Sequence, residues 1–236
     1  MRLRALGAGV VALLLLAGCA PTTPAEGSPQ ALTSEQSERL AVTRFRNFDA
    51  GVRTVDAELP SASGDIRLEG FFDFATGVGY AAVTVDDVAS GLVWWTHETI
   101  AIRSAAVEGL PLPLPEDGWE SGALDPSSTT LANSVALIAS LGSDRPENPQ
   151  LLAQSDAAWL RSDTVGEVEV DVFAGPSADS VATSSSDLST RAVYWVDATG
   201  ILVRFESPLT PPPAKLTVDF GTADAIELPT TVPGAP

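Results

Sequence analysis

The chain has 236 residues and carries 31 Asp and Glu against 13 Lys and Arg, a formal net charge of −18. A field of that sign repels nucleic acid and anionic lipid headgroups, and no basic patch with interleaved aromatics stands against it, so nucleic acid is excluded as a partner. An apolar content of 44% is enough for a core, whereas a single Cys and a single His leave no disulfide pair and no zinc set.

In chain order, Arg2 and Arg4 form a short basic start, Leu6 to Leu16 an apolar run, and Ala17 and Gly18 precede the lone cysteine, Cys19. This is the layout of a secretory signal, and the run is shorter than the roughly 20 residues a membrane-spanning helix needs. Leu16-Ala17-Gly18-Cys19 resembles a bacterial lipobox, in which the cysteine sulfur receives a diacylglycerol and the signal, residues 1–18, is cut just before it. A lone free thiol is ordinarily a small, inert core residue. Beside a removable signal it reads instead as a lipid handle, which places the rest of the chain outside the cytoplasmic membrane, anchored to its outer face. Cleavage removes two arginines and no acid, leaving a formal charge of −20.

Residues 19–32 are rich in Pro, Thr and Ser and read as a tether, on the order of 40 Å if extended. Residues 33–229 are expected to fold as one domain, and residues 230–236 to be a disordered tail. Thr33 with Gln36 three places on is a capping-box pattern, and Leu40, Ala41, Phe45 and Phe48 give the following helix an apolar face that ends near Gly51. From Val52 the period changes to 2. The segments DIRLEGFFDF, GYAAVTVDD and GLVWWTHETIAIR read as consecutive antiparallel strands, the third a long one with Leu92, Trp94, Thr96, Ile100 and Ile102 on one face.

The proline-rich GLPLPLPEDGWE interrupts the sheet. A helix follows with Leu131, Val135 and Ile138 on one stripe and Gly142 as its cap, then a short helical turn opened by Asn148-Pro149. Strands resume with AAWLRSD and VGEVEVDVF. The stretch AGPSADSVATSSSDLST reads as a mobile loop, RAVYWVDATGILVRFE as a hairpin turning at Asp197–Gly200, and KLTVDFG as a closing strand.

Catalytic signatures are missing. His97 lies in the middle of the expected third strand beside Trp94 and Trp95, where a packed ring is the ordinary role. There is no nucleophile elbow and no glycine-rich phosphate loop. Glu167, Glu169 and Asp171 alternate with Val168, Val170 and Val172, which reads as a solvated sheet face opposite a buried one and not as a cation or acid site. No catalytic residue, metal or cofactor is therefore expected. What remains is apolar surface, including Trp94, Trp95, Trp119, Trp159 and Trp195. Either the helices seal the sheet, or a hollow remains that an apolar ligand fills.

The order of these elements, and three motifs near the C-terminus, resemble the actinobacterial LppX/LprG lipoproteins, which share a half-barrel with the LolA and LolB lipoprotein carriers. VGEVEVDVFAGP resembles the family's "V-G-G-V-x-T-Y-x-V-x-G" strand, YWVDATGILVRFE its "x-W-x-D-x-x-G-x-L-x-R" hairpin, and KLTVDFGTADAIELP its closing strand. Glu167 departs from the second glycine of that pattern, and neither PLPLPEDGWE nor the Ser-rich loop has a counterpart. The resemblance implies an α+β fold, with a strongly curved antiparallel sheet whose concave face is covered by helices.

It also implies a lipid, lipoglycan or other amphiphile held in the hollow. Leu68, Phe72, Trp94 and Val170 would line it from the sheet, and Leu131, Val135 and Ile138 from the covering helix. Which face is concave is open, and the opposite choice exchanges Trp94 for Trp95. Two further classes compete with this carrier reading. One is an interaction or scaffold lipoprotein whose core is closed. The other, ranked last, is an enzyme, which would need His97 within hydrogen-bond reach of an acid and a hydroxyl.

Overall fold

A computed structural model of the chain describes residues 28–61, 64–107, 109–177, 188–209, 214–224 and 226–231. The expected signal, Cys19, most of the expected tether, most of the Ser-rich loop and residues 232–236 lie outside the described residues. The elements are β1 (Gln30–Ala31), α1 (Ser34–Ala50), β2 (Val52–Leu59), β3 (Ile66–Asp73), β4 (Val78–Val85), β5 (Val88–Trp95), β6 (Thr99–Arg103) and β7 (Glu120–Ala123). They continue with α2 (Thr130–Ala139), α3 (Pro149–Gln154), β8 (Ala158–Val165), β9 (Val168–Ala174), a 3-10 turn (Leu188–Thr190), β10 (Val193–Asp197), β11 (Leu202–Pro208) and β12 (Lys215–Thr222).

The strands form one antiparallel sheet of 12, in the order β1-β8-β9-β10-β11-β12-β2-β3-β4-β5-β6-β7. It is two meanders joined where the last strand, β12, pairs with β2. Local signals set several boundaries. The Thr33 side chain accepts from Gln36 N–H and the Gln36 side chain accepts from Thr33 N–H, closing the capping box, and Gly51 ends α1 at a φ of 67°. Asn148 caps α3 with Pro149 in its first turn.

Four expectations change. Gln30 and Ala31, expected in the tether, pair with β8. Glu120–Ala123 of the proline-rich crossing adds an edge strand, β7. Gly142 lies beyond the α2 cap, which is Ser140. The long third strand is two strands, because Thr96 turns the chain: its N–H donates to Thr99 O at 2.8 Å and its hydroxyl accepts from Glu98 and Thr99 N–H. His97 stands in that turn and not inside a strand.

One face of the sheet packs against all three helices. Val55, Ala57 and Leu59 of β2, Leu68 and Phe72 of β3, Val93 and Trp95 of β5, Phe205 of β11 and Val218 of β12 form a single core with Leu40 of α1, Val135 and Ile138 of α2, and Leu152 of α3. The opposite face carries two separate clusters. Tyr80, Leu92 and Trp94 are covered by Leu114 from the proline-rich crossing and by Leu228. Leu160, Val170, Val172 and Trp195 form the other. Between these clusters the outer face is charged, with Arg67 against Asp56, Glu58 and Glu69, and Arg204 against Asp219.

Candidate functional site

The site is the apolar layer between α2 and the inner sheet face. The register that builds it depends on an irregularity. The turn at Asp86-Asp87 pairs Val85 with Val88, and without interruption that hairpin would bring Trp94 opposite Gly79. A bulge at Ser90-Gly91 inserts one residue into β5, so Gly79 pairs with Trp95 instead. Gly91 has a φ of 154°, and a Cβ there would lie 2.2 Å from Arg103 O, so no other residue fits the bulge without a shift.

The inserted residue exchanges the faces of β5. Trp95 points inward, fully buried and stacked on Phe72 at 5.7 Å between ring centroids, while Phe72 meets Phe74 edge-on at 4.8 Å. A Cβ on Gly79 would fall 2.2 Å from the Trp95 ring, so the indole lies directly on the β4 backbone. Trp94 points to the other face, where its Nε1–H donates to Pro229 O at 2.9 Å. Tyr80 and Trp119 close that face in the same manner, donating to Pro111 O and Pro115 O; burial pushes the Tyr80 phenol up to about 12. The proline-rich crossing thus covers the outer face at β4 and β5.

Of the seven residues expected to line a hollow, five come together. Leu68, Phe72, Val135 and Ile138 are each 0% exposed in the inner core, and Leu131 packs against them half-buried. Trp94 and Val170 do not join them. Val170 lies in the outer cluster because it and Val172 of β9 pack with Leu160 and Trp195, while Asp171 and Phe173 face inward.

The solvated acid face is therefore corrected at Asp171. Arg39 of α1 reaches it at 2.5 Å and Glu35 at 3.1 Å, and Trp159 Nε1–H and the Ser162 hydroxyl also donate to Asp171. A polar cleft of about 530 Å³ opens beside this pair.

The attachment of α2 is uneven. Among the described residues, no side chain of Thr130–Ala139 makes a hydrogen bond or ion pair to another element. Just past its C-terminal end the chain is held to α1, where Asn47 Nδ2 donates to Leu141 O at 2.9 Å and Arg44 Nη2 to Gly142 O at 3.3 Å. Surface hollows lie at both ends of the helix. One of about 510 Å³ is bounded by Ser128, Thr129, Asn133 and Leu209. The other, of about 270 Å³, is bounded by Phe74, His97, Ala139 and Gly142.

His97 makes no hydrogen bond to an acid or a hydroxyl among the described residues, and no group of three His, Cys, Asp or Glu there could hold a metal ion. No helix among them is long and apolar enough to cross a membrane.

Gly79, which lies under the Trp95 ring, and Ser134, buried on α2, are absent from the set expected from sequence, and Trp95 stood there only as the alternative to Trp94. Only the bulge at Ser90-Gly91 decides that Trp95 faces inward, and a Ser-Gly pair next to a turn signal is the one cue the sequence carries for it.

No protein-family profile and no curated protein matches the sequence. Among solved structures, the lipoprotein LppX of Mycobacterium tuberculosis matches at 13% identity and a TM-score of 0.41, over 75% of this chain and 91% of that one. LprF of Mycobacterium bovis matches at 12% identity and a TM-score of 0.42, over 88% of this chain and 99% of that one. A domain from Vibrio parahaemolyticus, described as an outer-membrane lipoprotein-sorting protein, matches at 11% identity and a TM-score of 0.33, over 80% of this chain and 91% of that one. At low sequence identity, the chain is structurally similar to LppX, to LprF and to a lipoprotein-sorting domain.

Proposed function

We propose that the chain is a non-enzymatic exported lipoprotein, anchored through Cys19, that takes a lipid or other amphiphile into the apolar layer beneath α2. One observation carries the reading. A helix without a charged residue lies on an apolar sheet face and is joined to it by apolar contact; the chain is hydrogen-bonded to α1 directly past its C-terminal end, whereas before its N-terminus the nearest tie to the sheet is Leu124 N–H to Glu98 O. Apolar contact is non-directional and scales with area, at about 25 cal/mol per Å². An acyl chain that replaces Leu131, Val135 and Ile138 against Leu68, Phe72 and Trp95 restores what their removal costs. A helix held by directional bonds has no such exchange. The α2 helix then acts as a lid that swings about Leu141-Gly142, with the hollows at its two ends as points of entry.

The test uses the full-length chain, exported and purified in detergent from a bacterial host that lipidates such proteins. Native mass spectrometry followed by extraction is expected to find a stoichiometric, non-covalent lipid besides the diacylglycerol on Cys19. A bare mass, with no uptake of added lipids, overturns the reading. It would favour a second one, an interaction lipoprotein with a closed core, for which the complete burial of Leu68, Phe72, Val135 and Ile138 is the specific support.

A further inference from the structure

We propose that the amphiphile taken up beneath α2 carries a neutral hydrogen-bond acceptor within its apolar part, an ester or amide carbonyl, and that Trp95 and Ser134 recognise it. The inference rests on the carrier reading and adds the chemistry of the ligand.

Four of the five tryptophans donate their indole N–H. Trp94 gives it to Pro229 O at 2.9 Å, Trp119 to Pro115 O at 2.8 Å, Trp159 to Asp171 Oδ1 at 2.9 Å and Trp195 to Asp163 Oδ2 at 3.2 Å. Trp95 is the most buried of the five, at 0% exposure, and its N–H has no partner. The same is true of the Ser134 hydroxyl, also 0% exposed, in the middle of α2. A helical serine or threonine usually turns its hydroxyl back to a carbonyl one turn earlier. Ser37 and Thr43 of α1 do so, donating to Ser34 O and Arg39 O, and Ser140 donates to Leu137 O.

A buried polar group without a partner is a standing cost that a phenylalanine or an alanine at these places would not carry. The Trp95 ring stacks on Phe72 in the layer an acyl chain would enter, and Ser134 is fully buried on the lid, next in sequence to Val135 of the same core. An indole N–H only donates, and a hydroxyl can donate, so the group that satisfies both is an acceptor. A bare hydrocarbon offers none.

A carboxylate or phosphate needs a counterion, and Arg53, the buried cation of β2, is already committed. Arg53 gives Nε to Gly221 O, Nη1 to Asn47 and Leu202 O, and Nη2 to Phe220 O. A neutral carbonyl fits the donors that are left.

The probes are a diacylglycerol and the dialkyl-ether glycerol of the same chain lengths, which differ only in their carbonyls, offered to the full-length protein in detergent. The ester probe is expected to bind about tenfold tighter than the ether, one hydrogen bond's difference. Ser134→Ala and Trp95→Phe are each expected to narrow the preference for the ester over the ether, measured as the ratio of the two affinities in the same variant. The Trp95 indole proton, identified by its loss in Trp95→Phe, is expected to move downfield on adding the ester and to stay in place with the ether. The four paired indoles serve as controls.

Equal binding of both probes with an unmoved Trp95 resonance overturns this proposal and leaves the carrier reading standing. Binding of neither probe overturns both. If Trp95→Phe does not fold, Ser134→Ala decides: loss of the ester preference supports the proposal, and an unchanged preference overturns it.

Discussion

Arg53 Nη1 donates to Asn47 Oδ1 at 3.1 Å, joining the first strand of the inner face to the last turns of α1, and neither residue is open to solvent. Asn47 spends its amide nitrogen on Leu141 O, so one side chain links α1, the sheet and the segment that holds α2. Burial lowers Arg53 to about 10 against the pull of Asp197, which leaves it charged at neutral pH. Its charge is spread over carbonyls and stands 5.5 Å from the Phe220 ring centroid. Asn47→Ala leaves a guanidinium nitrogen and a carbonyl short of a partner inside the protein. The expected loss is about 2–3 kcal/mol, or roughly 6 °C in Tm for a chain of this size. Thermal unfolding with and without the substitution checks it, and a change below 1 °C would show that water replaces the amide at no cost.

Ser134→Ala is expected to act in the opposite direction in the ligand-free protein. It removes a buried hydroxyl that has no partner and places the best helix former in the middle of α2. A gain of about 0.5–1 kcal/mol follows, visible as a rise of about 2 °C in Tm. A loss of stability would mean that the hydroxyl is satisfied after all, and the argument for a carbonyl ligand would lose half of its ground.

How legible this architecture is depends on whether a signal is local. Thr33 with Gln36, Gly51, Asn148-Pro149 and Asp197–Gly200 act within one turn of chain, and each marks in the structure the boundary expected from it. Leu68, Phe72, Val135 and Ile138 were readable as inward because their periodicity runs unbroken within each element. The face of Trp94 against Trp95 was not, since a single extra residue at Ser90-Gly91 reverses every side chain after it. A second bulge, at Val203, has the contrary effect: it keeps Leu202 inward beside Val196 although Arg204 points out. Asp171 eluded the pattern for another reason. An acid alternating with valines reads as solvated until a helix distant in sequence supplies Arg39. Register and long-range charge pairing are decided by tertiary structure: the first settles that Trp95 and not Trp94 lines the layer, and the second turns Asp171 from a solvated acid into a partner of α1.

Asp56 gives a prediction in pH. Its carboxyl is held above the usual range, first by burial, then with Glu69 and Asp219 adding repulsion, against the lowering pull of Arg67. Arg67 and Asp56 are exposed to a similar degree, and the Arg67 pKa is raised chiefly by Asp56. An acid with a raised folded pKa favours the fold when neutral. That contribution is complete below the ordinary carboxylate value of about 4 and is lost as pH rises through the folded pKa. Asp56→Asn, which stays neutral and leaves Arg67 its contacts with Glu58 and Glu69, is therefore expected to match or slightly exceed the native Tm at pH 7. It should show no advantage at about pH 3. A Tm several degrees lower at pH 7 would show instead that the pairing with Arg67 outweighs burial.

Cys19→Ala tests the address. In a bacterial host that attaches lipid to exported proteins, the native chain is expected to incorporate labelled palmitate and to sediment with membranes. Two acyl chains on a thioether anchor far more stably than one, and nothing else in the acidic chain attracts it to an anionic surface. With alanine the label should disappear. The protein should then be retained with an uncut signal or be released, according to which peptidase accepts it. Persistence of the label in Cys19→Ala would move the anchor elsewhere. Loss of the label with undiminished membrane association of a chain whose mass shows the signal removed would mean that a protein partner, and not lipid, holds the chain at the surface.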